Sequence, residues 1–204
     1  MMRRITLLFG VGASIAAGLC LSTSVLTQAA EGTGSAPAAV VSKAADQGKH
    51  WPMFRGDPLS TGVSKTSLPA KPVVQWKFQV KEGAFEGTAA IVDGVVYVGD
   101  LDGKLFALNL ATGKKRWEFE TEEKDGFIAS PAVRDGRVYI GDMFGHFYAL
   151  DAKTGKKLWQ HNTKAEIDSS ANFYKGNVLV GSQDATLYCL HAVSGKLVWK
   201  YTID

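Results

Sequence analysis

The chain has 204 residues, 46% hydrophobic and 21% charged, a balance that excludes a disordered or acidic solvating polypeptide and predicts a buried core. Its formal charge of +3 falls to +1 once residues 1–30, which hold two of the 23 basic residues and none of the 20 acidic ones, are set aside. The basic face that nucleic-acid binding needs therefore has no compositional support.

Glycine is raised, at 22 of 204 residues against a usual ~7%, which favours many turns over long helices and an all-β fold. The N-terminal stretch MMRRITLLFGVGASIAAGLCLSTSVLTQAA places Arg3 and Arg4 before an uncharged apolar run and then small residues. This is the plan of a signal peptide, residues 1–30, cleaved after Ala29 or Ala30, and it predicts export to the periplasm or cell envelope. A retained anchor is the alternative, because the run approaches the ~20 residues of a membrane span. Cys20 lies inside that run, so the mature chain keeps Cys189 alone; no intramolecular disulfide is possible, and Cys189 is expected to be a small buried apolar side chain.

Residues 31–72 read as a linker followed by an irregular extension. The first part lacks apolar periodicity, and WPMFRGDPLSTGVSKTSLPAKP (51–72) carries four prolines, with Trp51 and Phe54 available to pack on whatever follows.

After Val73 the chain repeats itself. AIVDGVVYVGDLDGKLFALNLATGKKRWEFETE starts at Ala90, AVRDGRVYIGDMFGHFYALDAKTGKKLWQHNTK at Ala132 and ANFYKGNVLVGSQDATLYCLHAVSGKLVWKYTI at Ala171. Tryptophans recur at 76, 117, 159 and 199, in steps of 41, 42 and 40 residues. Within each repeat, period-two apolar runs alternate with turn chemistry: Asp93-Gly94, Asp135-Gly136 and Lys175-Gly176, then Thr112-Gly113, Thr154-Gly155 and Ser194-Gly195. Four short antiparallel strands per ~40 residues is the signature of a β-propeller blade. Repeats of about 90–131, 132–170 and 171–204 give three complete blades, and VVQWKFQV around Trp76 gives one closing strand whose partner strands are not in the chain.

The stretch Ala149, Asp151, Thr154, Gly155 and Trp159 resembles the tryptophan-docking motif of the PQQ-like (pyrroloquinoline quinone repeat) propeller family. The spacing recurs as Ala107, Asn109, Thr112, Gly113 and Trp117, and as Cys189, His191, Ser194, Gly195 and Trp199. The resemblance covers residues 73–204 and implies a PQQ-like β-propeller whose ring is incomplete. It implies that Trp76, Trp117, Trp159 and Trp199, with Gly113, Gly155 and Gly195, join neighbouring blades. The lysines at 114, 115, 156, 157 and 196 are then solvated turn charges.

That family holds quinoprotein dehydrogenases, with PQQ and calcium near the propeller axis, and non-catalytic exported propellers such as the lipoprotein of the outer-membrane assembly machine. The repeat motif alone does not separate them. The connections between blades carry Glu86, Asp125, Glu166 and Asp168, expected at the mouth of the axial channel, where carboxylates suit a calcium ion or a basic partner. The histidines at 50, 146, 161 and 191 show no metal-ligand spacing, and no catalytic residue is assigned.

The expected function is a non-catalytic scaffold in the cell envelope with protein partners. The alternative is the N-terminal part of a quinoprotein dehydrogenase, the one reading that calls for PQQ with calcium. Three blades and a lone strand also predict either a portion of a longer propeller or self-association into a closed ring.

Overall fold

A computed structural model describes residues 50–203; residues 1–30, expected to be a signal peptide, and residues 31–49 of the expected linker lie outside the described residues. The first four-stranded sheet contains β1 (Ala90–Val92), β2 (Val95–Gly99), β3 (Lys104–Asn109) and β4 (Lys115–Glu120) in sequential order. The second contains β5 (Ala132–Arg134), β6 (Arg137–Gly141), β7 (His146–Asp151) and β8 (Lys157–Asn162). The third contains β9 (Asn172–Tyr174), β10 (Asn177–Ser182), β11 (Thr186–His191) and β12 (Leu197–Thr202). All pairings within the sheets are antiparallel.

Each sheet begins with a two-residue hairpin, as in the register Val92↔Val95. Asp93 and Gly94 take φ values of 49° and 71° there, the left-handed pair that matches strand twist in such a loop. The third hairpin is closed by a side chain: Asp151 Oδ1 accepts from Thr154 N at 2.8 Å and Thr154 Oγ1 at 2.7 Å. The Thr154 hydroxyl bond, with those from the backbone, holds the Asp151 carboxyl below its ordinary value. First and third hairpins share one face, where Leu110 N donates to Gly94 O, Ala152 N to Gly136 O and Ala192 N to Gly176 O. On the other face the second hairpins meet the connections between blades, as when Met143 N donates to Gly126 O at 3.0 Å.

The core lies between sheets, because a blade with two apolar faces cannot cover itself. One cluster joins blade 1 (β1–β4) to blade 2 (β5–β8) through Tyr97, Leu105, Phe127, Ile140 and Tyr148. Another joins blade 2 to blade 3 (β9–β12) through Tyr139, Phe147, Ile167, Phe173 and Leu190. The aligned apolar positions Phe127 and Ile167 are both buried, filling the space above Gly99 and Gly141 where a Cβ would collide with them.

The outer face of blade 1 is covered by Trp76, Phe78 and Val80, packed on Val96, Phe106 and Leu108. Residues 73–80 thus occupy the closing position, and with no strand beside them among the described residues they form no ladder. At the opposite end β12 is exposed along its whole length.

Candidate functional site

The joints between blades follow one geometry three times. Trp76 Nε1 donates to Leu110 O at 2.8 Å, Trp117 Nε1 to Ala152 O at 3.0 Å and Trp159 Nε1 to Ala192 O at 3.1 Å. Each indole lies flat on the turn glycine of the following blade: a Cβ on Gly113, Gly155 or Gly195 would stand 2.6–2.7 Å from the ring. Only glycine, at φ near +70°, permits that approach. Tyr97 and Tyr139 add a second donor to the Ala152 and Ala192 carbonyls, at 3.2 Å and 3.1 Å. Burial pushes the Tyr139 hydroxyl up to about 12. Trp199 has no such turn to meet among the described residues and is 44% exposed. The lysines at 114, 115, 156, 157 and 196 are exposed.

The axial edge holds a feature that composition alone reads as linker. One edge of β1 is paired with β2, so the mutual backbone bonds of Trp51 and Ile91, both 2.8 Å, must lie on the edge facing the axis. Val133, the central residue of β5, likewise donates its N–H to Pro52 O at 2.7 Å. In β9 the Asn172 side chain substitutes: its Oδ1 accepts from Phe173 N and its Nδ2 donates to Pro58 O at 3.0 Å. Met53 is buried in the cluster of blades 2 and 3. Residues 51–58 therefore cross the innermost strands of all three blades, and the extension expected to be irregular is bonded at the axis. Phe54 stays largely exposed.

The carboxylates singled out on the connections are treated unequally. Glu86 and Asp168 are exposed, the latter accepting from Gln183 Nε2 at 3.3 Å, and Glu166 is half-buried. Asp125 instead is buried beside Asp142 and His146, and the three offer ligating atoms that all lie within 4.8 Å of one another. His146 Nδ1 stands 3.0 Å from Asp142 Oδ2 and 3.6 Å from Asp125 Oδ2. Asp142 is fixed by three further donors: Phe144 N and His146 N to Oδ1, and the Tyr148 hydroxyl to Oδ2 at 2.9 Å. Burial and the neighbouring Asp142 push the Asp125 carboxyl above its ordinary value. Burial and the same carboxylate push the Tyr148 hydroxyl up.

The histidine spacing suggested no ligand set, and the fold brings His146 beside Asp125 and Asp142. Its partners come from a connection and a hairpin that the Met143 N to Gly126 O bond and the packing of Phe127 bring together. The legible signal was the unlike residue type at equivalent places in the three repeats.

Residues 70–204 match the family model described as outer membrane protein assembly factor BamB. The chain belongs to this family. Among solved structures, BamB from Moraxella catarrhalis is similar at 26% identity with a TM-score of 0.54, over 60% of this chain and 38% of that one. A quinohemoprotein alcohol dehydrogenase from Comamonas testosteroni is similar at 23% identity with a TM-score of 0.66, over 77% of this chain and 28% of that one. A europium-containing methanol dehydrogenase follows at 18% identity with a TM-score of 0.62, over 74% and 31%. The two dehydrogenases share the fold, and the chain spans well under half the length of each of these proteins. No curated protein matches. The PQQ-like propeller of the BamB family thus accounts for the blades and their joints. Among the described residues no helix is long and apolar enough to cross a membrane.

Proposed function

We propose that this chain is part of an exported propeller that serves as a non-catalytic, protein-binding scaffold in the cell envelope, in the manner that the description of the BamB family names. The observation that carries this reading is the match of residues 70–204 to the BamB family model, on a chain whose axial segment 51–58 is part of the packed propeller. The axial edges of β1 and β5 are already hydrogen-bonded to Trp51 and Pro52, and Met53 fills the core beneath them. No catalytic step is derived through PQQ.

The placement of polar side chains supports the same reading. Asp151 and Asn109 close turns, and the indoles join blades, so these motif residues are used for architecture. Exposed hairpins at the two ends of the propeller leave broad loop surfaces for protein partners.

Two measurements test the proposal. Titration of the purified chain with PQQ and calcium is expected to leave the quinone spectrum and the tryptophan emission unchanged; a saturable spectral shift assigns the chain to the dehydrogenase branch instead. Photo-crosslinking from loop positions such as Asp168 in intact cells is expected to give discrete adducts with envelope proteins. Its failure at every loop position, with the protein present in the envelope, refutes the scaffold role.

A further inference from the structure

The three blades make the same second hairpin and the same contact with the connection that precedes it. Leu101 N donates to Ala84 O, Met143 N to Gly126 O and Gln183 N to Glu166 O, which fixes the equivalence of positions across repeats. On that register Asp125 corresponds to Gly83 and Ala165, Asp142 to Asp100 and Ser182, and His146 to Lys104 and Thr186. The fold is thus built without the trio in two blades of three. The joint presence of Asp125, Asp142 and His146 in blade 2 is not required by the turn, the register or the joint.

The trio is also electrostatically incomplete. The side chains of Asp125 and Asp142 are 4% and 0% exposed, and one imidazole faces both carboxylates. The Asp125 carboxylate accepts no hydrogen bond from any described residue, its ion-pair partner His146 Nδ1 lying at 3.6 Å, beyond good hydrogen-bond reach. Buried charges are paired or coordinate metals, and here one imidazole is shared between two carboxylates.

We propose that Asp125, Asp142 and His146 form a binding site for one divalent transition cation, with zinc as its best match. The donor set is two carboxylate oxygens and one imidazole nitrogen, ligand types that zinc takes. Around a tetrahedral cation with bonds of about 2.1 Å, donors stand roughly 3.4 Å apart. The distances of 3.0 Å and 3.6 Å from His146 Nδ1 to the two carboxylates bracket that value. The Tyr148 hydroxyl donates to Asp142 Oδ2 and orients that ligand from outside, as outer hydrogen bonds do at metal sites. His146 is 28% exposed and supplies the route of entry, with a fourth position left to water. The site lies at the second hairpin of blade 2, tying it to the connection from blade 1, so its consequence is a locked joint on that face. The proposal holds whether or not the propeller acts as a scaffold.

The test is to dialyse the purified chain against zinc chloride, count bound zinc by mass spectrometry, and follow the thermal midpoint. One equivalent is expected to bind, and the midpoint to rise with free zinc as linkage requires. Asp125→Asn and His146→Gln are each expected to weaken binding roughly tenfold or more, while Asp168→Asn, on an exposed loop, leaves it unchanged. Circular dichroism and tryptophan emission establish that the variants fold. Cobalt(II) gives a second readout, since nitrogen and oxygen ligands in a four-coordinate site produce an intense visible band that Asp125→Asn removes. Absence of retained zinc in the wild-type chain at free concentrations on the order of 100 µM overturns the proposal. So does equal zinc retention by the wild type, Asp125→Asn and His146→Gln.

Discussion

Replacing Phe106 by Tyr offers a hydroxyl to a buried carboxylate oxygen that lacks a partner. Asp100 is the blade 1 counterpart of Asp142: its Oδ1 accepts from Asp102 N at 3.1 Å and Lys104 N at 2.8 Å, as Asp142 Oδ1 accepts from Phe144 N and His146 N. In blade 2 the second oxygen takes the Tyr148 hydroxyl, and in blade 3, where Ser182 stands at the Asp142 place, the equivalent Tyr188 donates to Asp184, two positions on, at 2.6 Å. Blade 1 has Phe106 at this place, and Asp100 Oδ2 is buried with no hydrogen bond.

A buried acceptor left unsatisfied costs about 1–3 kcal/mol, and a new bond to a charged group recovers much of it. Tyr148 and Tyr188 fill the equivalent place in blades 2 and 3, each with its hydroxyl on a carboxylate, so the blade accommodates a tyrosine there. Phe106→Tyr is therefore expected to stabilise the protein by about 1–2 kcal/mol near neutral pH, roughly 3–6 °C in Tm for a domain of this size. Burial raises the Asp100 carboxyl above its ordinary value, so folding favours its protonated form. The resulting penalty is full at neutral pH and vanishes as pH falls through the raised value and then the ordinary one. The gain from the tyrosine must shrink over the same window. Urea unfolding of both proteins near pH 7 and near pH 4 measures this. A gain that is zero or negative near neutrality, or one that does not decline on acidification, refutes the reasoning.

Other substitutions separate joint from surface. Gly155→Ala brings a Cβ within 2.7 Å of the Trp117 ring at φ +75° and is expected to cost about 2–4 kcal/mol by thermal unfolding. Gly136→Ala, at φ +71° with nothing within 4 Å, pays only the backbone term of about 1 kcal/mol. Trp159→Ala should cost about 3–5 kcal/mol, whereas Trp199→Ala, the same motif position left open, should cost under about 1 kcal/mol; equal losses would refute the docking account. Met53→Ala should cost about 2–3 kcal/mol in urea unfolding if residues 51–58 are part of the propeller, and almost nothing if they are a loose linker.

Much of the fold is legible before any coordinates, for a physical reason. A blade is a local object: its strands pair with sequence neighbours, its turns are set by Asp-Gly and Thr-Gly dipeptides, and its period of 40–42 residues announces itself in the tryptophans. The pairing Phe85, Phe127 and Ile167 could be read by counting back from the turn glycines. Phe127 and Ile167 are buried, while Phe85, on the outer side of blade 1, remains 39% exposed.

The candidate site was far less legible. Asp125 stood in the sequence as one loop carboxylate beside Glu86, Glu166 and Asp168, and His146 as a histidine without partners. Asp125 and Asp142 are 17 residues apart with a hairpin and two strands between them. The hydrogen bond from the hairpin to the connection before it, with the packing of Phe127 on Ile140 and Tyr148, makes them neighbours. The extension 51–58 hid for the opposite reason: prolines and glycines look like linker, yet they suit a chain that must bend across three strand edges.

The sequence by itself determined the strands, the turns, the repeat and the residues equipped to dock, because all of these depend on spacing along the chain. The tertiary structure decided which of those residues have a partner. Trp117 and Trp199 carry the same motif and differ in whether a glycine turn faces them among the described residues, and Asp125 differs from Glu86 in being buried against Asp142 and His146. Such roles belong to contacts between distant segments, and a contact is a property of the packed chain.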